Sequence, residues 1–472
     1  MPTPTRRVAA RLRRSCVSPP PARIPGTRPD FPPLPPIPDI NVRRLRNSIP
    51  VFLHLPDSYD GRIPLIGAVM TELSALSRSA RDAAPLPLRV DAVIDRALAE
   101  QRLVGGVVLI AERGEPVYRR AAGLADREHE QPMREDTLFR LASISKPIVS
   151  TAAMVLVSQQ RLGLDDAVER YLPEFTPRGA DGGAVHLTVR HLLTHTAGLG
   201  YRFLEPDEHG PYARAGVSDG MDRAGITLAE NLRRIAGVPL LFAPGTAWAY
   251  SLSIDVLGAL IERVTQLPLG DAVRDLVTAP LGMNDTAFYT LDAQRLATPY
   301  VSDVPRPHRM RDKERATPFE GAVGIDFEPA RALDPEAFAS GGAGMVGCAD
   351  DVLRLLDTLR DGGGALLPRA IADEMGRNQT GEMGPPDQPG YGFGLGFSVL
   401  RDPLAADSPE SPGTWRWGGA YGHSWFVDRS RGLSVVALTN TLYEGMSGAF
   451  VNELRDAVYG VSAAKVQGAS RS

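Results

Sequence analysis

A serine and a lysine three residues apart, Ser143 and Lys146, could carry out nucleophilic chemistry in this sequence. They lie in the segment FRLASISKPIVS, residues 139–150. On a helix, side chains at this spacing share one face, about 5–6 Å apart at Cβ. A lysine whose pKa is lowered by burial or by nearby positive charge can accept a serine proton, whereas arginine stays protonated. The spacing therefore predicts a serine nucleophile that a lysine activates.

The Ser-x-x-Lys pattern alone is short enough to arise by chance. A second copy, Ser462 and Lys465, lies in a polar stretch with no apolar helix around it, and we interpret that copy as accidental. The same interpretation, a surface helix without catalytic function, is the alternative for Ser143 and Lys146. Other features of the chain must decide between the two.

The elements that would position this pair are a first helix, a hairpin, a second helix and a group of strands near the end of the chain. Helical spacing of apolar residues predicts a first helix from about residue 88, and GGVVLIAERGEPVYRRAAGLA predicts a hairpin after it. The next helix is expected to begin near Ser143, with Pro147 in its first turn, where proline is tolerated. Strands return in GFGLGFSVLRD, TWRWGGA, YGHSWFVD and GLSVVALTN, and a closing helix follows.

Strands at both ends of the chain and helices between them predict an α+β fold. One antiparallel sheet would combine the N- and C-terminal strands and be flanked by helices, with a mostly helical lobe inserted at roughly 163–350 and a cleft between the two. The expected domain covers 88–460. Residues 1–69 are Pro/Arg-rich and are expected to be a disordered N-terminal extension, and 461–472 are expected to be a polar tail. Met70 is an alternative start.

Several segments, in order, resemble a known family. FRLASISKP resembles the nucleophile motif of the serine β-lactamases and penicillin-binding proteins. The later segments are similar to the class C-like branch of that group, and the similarity extends over about 88–460. They are LTVRHLLTHTAGL (187–199), FAPGTAWAYSLSIDVLGALIE (242–262), SGGAGMVGCADDVLRLLDTLRDGG (340–363) and GYGFGLGF (390–397). The resemblance implies the β-lactamase/transpeptidase-like fold and a proton-moving role for Tyr250 beside Lys146.

The tyrosine motif departs from the β-lactamase pattern. Those enzymes have Tyr-x-Asn, whereas this chain has Tyr250-Ser251-Leu252. An asparagine amide can hold the side-chain amide of a β-lactam, and a leucine cannot. Leu252 is therefore expected to contact a substrate that lacks such an amide, such as a simple ester.

The Lys-Thr-Gly motif is also replaced. His423-Ser424 is a tempting match, but counting back from Asp428 aligns Trp417-Gly418-Gly419 instead. This triplet resembles the one in family VIII carboxylesterases, which share the β-lactamase fold and hydrolyse esters. The resemblance implies that Trp417, Gly418 and Gly419 bind substrate and that the Ser143 and Ala420 N–H groups form an oxyanion hole. Tyr201 is expected to line the cleft.

Two histidines and one further serine motif are alternative candidates for catalysis. His195, in THTAGL, is interpreted as structural, and His423 as a packing residue. The G-x-S-x-G elbow of α/β-hydrolases is not matched by GHSWF, because Phe426 occupies the position of the second glycine.

These features together predict a serine carboxylesterase that cleaves short-chain esters through an acyl-enzyme on Ser143. The alternatives are a β-lactamase or D-amino-acid peptidase, an acyltransferase in which an alcohol replaces water, and an inactive binding module. Neither cofactor nor metal is implied.

Composition limits the partners that we expect. The net charge of −4 does not suggest a nucleic-acid partner, and no apolar run is long enough to span a bilayer. The basic N-terminal residues lack the apolar core of a signal peptide, so a cytoplasmic location is expected, with export as the alternative. The oligomeric state is left open.

Overall fold

The computed structural model of this protein describes residues 84–318 and 321–461. The predicted extension 1–69, the alternative start at Met70 and the Ser462–Lys465 copy of the motif lie outside the described residues. The α-helices are α1 Leu86–Ala99, α2 Ser145–Ser158, α3 Val189–Leu193, α4 Pro211–Arg214, α5 Leu228–Ala236, α6 Ser253–Thr265, α7 Leu269–Val273, α8 Ala349–Arg360, α9 Arg369–Met375, α10 Glu444–Ser447 and α11 Ala449–Tyr459.

An antiparallel sheet of eight strands organises the domain, in the order β10-β11-β12-β13-β14-β1-β2-β3. Its strands are β1 Gly105–Glu112, β2 Glu115–Asp126, β3 Gln131–Pro132, β10 Tyr391–Phe393, β11 Ser398–Leu400, β12 Trp415–Gly419, β13 His423–Asp428 and β14 Leu433–Thr439. The short strands β4 Phe139–Arg140, β5 Tyr300–Val301, β6 His308–Arg309, β7 Glu314–Ala316, β8 Ile325–Phe327 and β9 Val346–Gly347 form separate two-stranded pairs. The predicted pairing of the first hairpin with the last strands is confirmed, because β1 runs antiparallel to β14.

Alternate residues of β1 pack into two different hydrophobic layers. Val107 and Leu109 belong to the larger cluster, while Val108 and Ile110 belong to a second cluster with residues of α1 and α11. Side chains along a strand point alternately to opposite faces, and both faces of this sheet are covered. An apolar run without polar alternation is the sequence signature of such a strand.

The segment 163–350 is less helical than the sequence suggested. It contains α3 to α7, but long loops and the pairs β5–β6 and β7–β8 occupy much of the rest. Between α3 and α5 the chain turns at Gly216, Gly220 and Gly225, each of which has positive φ. Glycine adopts this conformation without the steric cost that other residues incur, so the chain can turn sharply at these positions.

Helix α2 is the central element of the domain. Every residue from Ser145 to Leu156 is buried, and the helix packs against α6, α7 and α9. Pro147 lies in its first turn, as predicted. None of the described helices is long and apolar enough to cross a bilayer.

Candidate active site

Ser143 lies at the start of the central helix and is accessible to a substrate. It occupies a single 3-10 turn, Ala142–Ile144, that leads directly into α2. Every other residue from 141 to 150 is buried, while Ser143 is partly exposed. The preceding Ala142 has φ of 47°, a conformation that few non-glycine residues adopt and that is often found at functional sites. The turn therefore presents one hydroxyl at the surface of an otherwise closed core.

Lys146 lies below this hydroxyl and is completely buried. Its Nζ donates to Ser143 Oγ at 3.1 Å and to the Gly342 carbonyl oxygen at 2.7 Å. Burial lowers the pKa of Lys146 to about 7, although the negative charge of Asp255 opposes that shift. A large fraction of Lys146 is therefore neutral near pH 7 and can accept the serine proton.

Tyr250 completes a three-residue cluster around the nucleophile. Its hydroxyl lies 2.6 Å from Ser143 Oγ and donates to it, and the ring centroid lies 4.6 Å from Lys146 Nζ. Burial raises the pKa of the Tyr250 phenol, so it stays protonated at neutral pH. The Ser143 oxygen thus contacts one group that can accept a proton and one that can donate a proton.

Gly342 and Asp255 support the lysine, and sequence reasoning assigned neither of them a role. A Cβ at Gly342 would lie 2.6 Å from Asp255 Oδ2 and 3.5 Å from Lys146 Nζ, so only glycine leaves room for both. Asp255 is fully buried and accepts a hydrogen bond from Ser340 Oγ at 2.6 Å. A carboxylate inside the apolar run SIDVLGALIE was the available sequence signal for this site.

The strand β12 approaches the nucleophile at its two glycines. A Cβ on Gly419 would collide with the carbonyl oxygen of Leu141, and one on Gly418 would lie 2.9 Å from the His423 carbonyl oxygen. Ala420 follows in a turn closed by the Gly422 N–H, which donates to Gly419 O at 2.9 Å. Within the described part of the chain, the Ala420 N–H donates to no protein acceptor. It is therefore free to stabilise an oxyanion.

Aromatic rings form one side of the cluster. The Trp417 ring packs edge-on against the rings of Tyr250 and Phe393, with centroid distances of 5.4 Å and 5.2 Å. Trp248 stacks with Tyr250 at 6.5 Å and contacts Phe393 at 5.4 Å. The indole N–H groups of both tryptophans lack a partner among the described residues. The first residue of the Trp-Gly-Gly triplet is thus an apolar wall, where a β-lactamase has a cation.

Two of the residues predicted to bind substrate lie deeper than expected. Leu252 is 0% exposed, at the N-terminus of α6, and belongs to the main hydrophobic cluster. Tyr201 is 4% exposed and packs behind Tyr250, with the two ring centroids 5.0 Å apart. The structure thus brings Ser143, Lys146 and Tyr250 together and places Leu252 in the core.

The two buried histidines contact the site only indirectly. His195 packs edge-on against Tyr250 at 5.1 Å, and its Nδ1 lies 3.1 Å from Ser251 Oγ. His423 contacts the Arg140 carbonyl oxygen through Nε2 at 2.8 Å, and burial lowers its pKa to about 4. Neither histidine contacts Ser143 Oγ, so both match the structural interpretation.

The fold and the Ser143–Lys146–Tyr250 cluster are those of a serine hydrolase of the β-lactamase-like type. The family described as Beta-lactamase matches residues 90–459. The chain belongs to this family, and within it resembles the family VIII carboxylesterases, as its motifs predicted.

This chain matches two relatives over nearly their whole length. Esterase EstB from Burkholderia gladioli is 54% identical over 379 residues, which is 80% of this chain and 96% of EstB. The solved structure of EstCE1, a hydrolase with promiscuous acyltransferase activity, superimposes with a TM-score of 0.76. It is 49% identical and matches 79% of this chain and 98% of its own.

A more distant structure shows the fold alone. Simvastatin Synthase (LovD) from Aspergillus terreus is 22% identical, with a TM-score of 0.64 over 80% of this chain and 98% of its own. The eight-stranded antiparallel sheet and its flanking helices are therefore the β-lactamase/transpeptidase-like fold that the sequence predicted.

Proposed function

We propose that this protein is a serine carboxylesterase that cleaves short-chain esters through an acyl-enzyme on Ser143. The observation that carries the proposal is the cluster itself: Lys146 Nζ and Tyr250 OH both lie within hydrogen-bond distance of Ser143 Oγ. The lowered pKa of Lys146 supplies a base near neutral pH. The name of the 54% identical relative, an esterase, supports the same reaction class.

Acylation would start when neutral Lys146 accepts the Ser143 proton. The oxygen attacks the ester carbonyl carbon, and the carbonyl oxygen becomes an oxyanion held by the Ser143 and Ala420 N–H groups. Tyr250 donates its proton to the leaving alcohol oxygen and is reprotonated from Lys146, whose Nζ faces the Tyr250 ring. The alcohol leaves and Ser143 carries the acyl group.

Deacylation would use the same groups in reverse. Water takes the place of the alcohol, and the Tyr250–Lys146 pair accepts its proton as the water oxygen attacks the acyl carbon. The second tetrahedral intermediate uses the same two N–H groups. Collapse releases the acid and returns the proton to Ser143, which restores the resting cluster.

The aromatic wall favours an ester over a β-lactam. Trp417 and Phe393 offer apolar surface, and the first position of the β12 triplet has no cation for a β-lactam carboxylate. We therefore propose Trp417, Gly418 and Gly419 as substrate-binding residues. Tyr201 would act from behind the cleft, because its ring packs against that of Tyr250. Leu252 lies in the core and is not proposed to contact the substrate.

Acyl transfer to an alcohol is the second candidate function. The relative EstCE1 is described as a hydrolase with promiscuous acyltransferase activity. The acyl-enzyme is common to both reactions, so the acceptor decides the outcome. Adding a short alcohol during turnover and measuring the ratio of new ester to free acid would separate the two.

The test of the proposal compares p-nitrophenyl butyrate with a chromogenic cephalosporin. Wild type should hydrolyse the ester, and Ser143→Ala should lose about 10⁴-fold or more of kcat. Ser158→Ala, at the other end of α2, is the matched control and should keep wild-type turnover. If cephalosporin cleavage exceeded ester cleavage, the protein would have to be assigned as a β-lactamase rather than an esterase.

The cytoplasmic location stays a prediction, which cell fractionation would test.

A further inference from the structure

A cleft next to the oxyanion turn is lined by two arginines that the mechanism does not use. Arg140 precedes the nucleophile turn, and Arg331 is only 7% exposed. Tyr421, directly after Ala420, lines the same cleft, with Arg140 Cζ 5.9 Å from its ring centroid. Arg140, Arg331 and Tyr421 thus line one shared space.

The Arg140 guanidinium uses only part of its hydrogen-bonding capacity on protein groups. Its Nε donates to the Pro329 carbonyl oxygen and its Nη1 to the Ala297 carbonyl oxygen, both at 2.8 Å. Nη2 donates to no acceptor among the described residues. A guanidinium has five N–H donors, so the unused ones remain available to a ligand.

The Arg331 guanidinium also donates to two backbone carbonyl oxygens. Its Nε donates to the Gly220 carbonyl oxygen at 2.8 Å and its Nη2 to the Phe338 carbonyl oxygen. Nη1 has no acceptor among the described residues, and neither does the Tyr421 hydroxyl. Three donor groups around one cleft therefore lack acceptors.

The charge of the two arginines is not neutralised by direct contact. Within residues 84–318 and 321–461, no carboxylate oxygen lies within 4 Å of either guanidinium. Asp222, Asp255 and Asp334 act on Arg331 only from a greater distance. Asp255 already accepts from Ser340, and Asp334 pairs with Arg223 at 2.7 Å. Buried charges without a partner are costly, so an anion here would be stabilising.

We propose that this cleft binds a small carboxylate, held by Arg140, Arg331 and the Tyr421 hydroxyl. The planar guanidinium fork matches the two oxygens of a carboxylate. The carboxylate could come from the free acid that ester hydrolysis releases or from a second acidic group on the substrate. If the ligand is the released acid, the site responds to product beside Ala420. If the ligand is an acidic group of the substrate, the site is a specificity subsite. Only this choice of source rests on the proposed esterase function.

Binding is tested directly with sodium acetate and the full-length protein. Isothermal titration calorimetry at constant ionic strength should show saturable binding, and saturating acetate should raise the unfolding midpoint by about 2 °C. Arg331→Gln should weaken acetate binding by about ten-fold or more, and Tyr421→Phe, which keeps the ring, by about three-fold. Arg113→Gln, whose side chain is 80% exposed, is the control for general charge effects.

The acetate titrations of wild type and variants distinguish a carboxylate-binding site from a cleft that is only filled with water. Saturable acetate binding that weakens in Tyr421→Phe and not in Arg113→Gln supports the proposal, even if Arg331→Gln does not fold. No saturable binding to wild type, or equal affinity in all variants, would overturn it. Because calorimetry needs no turnover, acetate binding by a protein without esterase activity would reject only the proposed function.

The source of the carboxylate is tested with two esters. Mono-p-nitrophenyl succinate carries a free carboxylate, and p-nitrophenyl butyrate does not. If the substrate supplies the carboxylate, Arg331→Gln should lower the succinate-to-butyrate ratio of kcat/KM by about ten-fold. If free acid is the ligand, that ratio stays constant and acetate changes the butyrate rate in wild type but not in Arg331→Gln. A constant ratio together with no acetate effect in wild type would contradict both sources.

Discussion

Two lysines of this protein lie in opposite surroundings, and the contrast explains why one of them can act as a base. Lys146 is fully buried, and burial lowers its pKa to about 7. The Lys313 side chain is 75% exposed and lies 2.8 Å from Glu328, which raises its pKa. Within the described residues, Lys146 has no carboxylate oxygen within 4 Å of Nζ. Burial without a direct counter-charge therefore converts a lysine from a permanent cation into a proton acceptor.

Among substitutions outside the nucleophile itself, the largest effect is expected from Lys146→Arg. Arginine keeps the positive charge and much of the length, but it stays protonated and cannot accept the Ser143 proton. We expect kcat for p-nitrophenyl butyrate to fall by about 10³-fold or more. Steady-state kinetics measures this, and circular dichroism checks that the variant is folded.

Lys313→Arg is the matched control for that substitution. It makes the same chemical change at a surface ion pair, and kcat should stay at the wild-type value. Comparable losses in both variants would show that arginine disturbs the protein in general. The contrast between the two lysines would then have no catalytic meaning.

Tyr250→Phe should have the next largest effect. The variant keeps the ring that packs against Trp417 and His195 but removes the hydroxyl 2.6 Å from Ser143 Oγ. We expect kcat to fall by about 10²-fold while KM changes little, because the proton donor for the leaving alcohol is lost. A change confined to KM would assign Tyr250 to binding.

Asp255→Asn sharpens the comparison because it changes the charge near Lys146. The carboxylate favours protonated Lys146, so its removal should lower the pKa of Lys146 further. The asparagine Oδ1 can still accept from Ser340 Oγ. The acidic limb of the kcat/KM profile should move to lower pH, with a small change in the maximum rate. A shift to higher pH would show that Asp255 does not act on Lys146 by its charge.

The smallest effect is expected from Lys313→Met. This substitution removes an ion pair whose lysine is solvent-exposed, and such pairs contribute little because water screens them. Esterase activity and the unfolding midpoint should both match wild type in thermal scans. A clear loss of activity would mean that the segment around Lys313 influences the cleft.

The sequence was sufficient to predict the fold and the contact between Ser143 and Lys146, whose catalytic roles stay predictions. Ser143 and Lys146 share a helix face because their spacing is local, and the apolar run of β1 reflects a strand covered on both faces. The role of Tyr250 was predicted from its position in the tyrosine motif of the family that the chain resembles. The match to the Beta-lactamase family confirms that motifs in a fixed order identify a fold where one short pattern cannot.

The remaining features depend on tertiary contacts that spacing does not encode. Gly342 is 196 positions from Lys146 in the chain, yet its carbonyl oxygen accepts the Nζ hydrogen bond. Leu252 was expected at the substrate because its residue type departs from the family motif, but the start of α6 turns it into the core. The orientation of a helix, which decides which residues face a cleft, follows from packing against distant segments.

The central claim is that neutral Lys146 activates Ser143, and the pH dependence of Ser143 modification tests it most directly. The second-order rate of inactivation by a p-nitrophenyl phosphonate would be followed by mass spectrometry between about pH 5 and pH 9. Below a pKa of about 7 Lys146 is protonated and cannot accept a proton, so the rate should fall as the pH drops through that value. Lys146→Arg should be slow throughout, and Lys313→Arg should follow wild type. A wild-type rate that stays constant over this range would contradict the account.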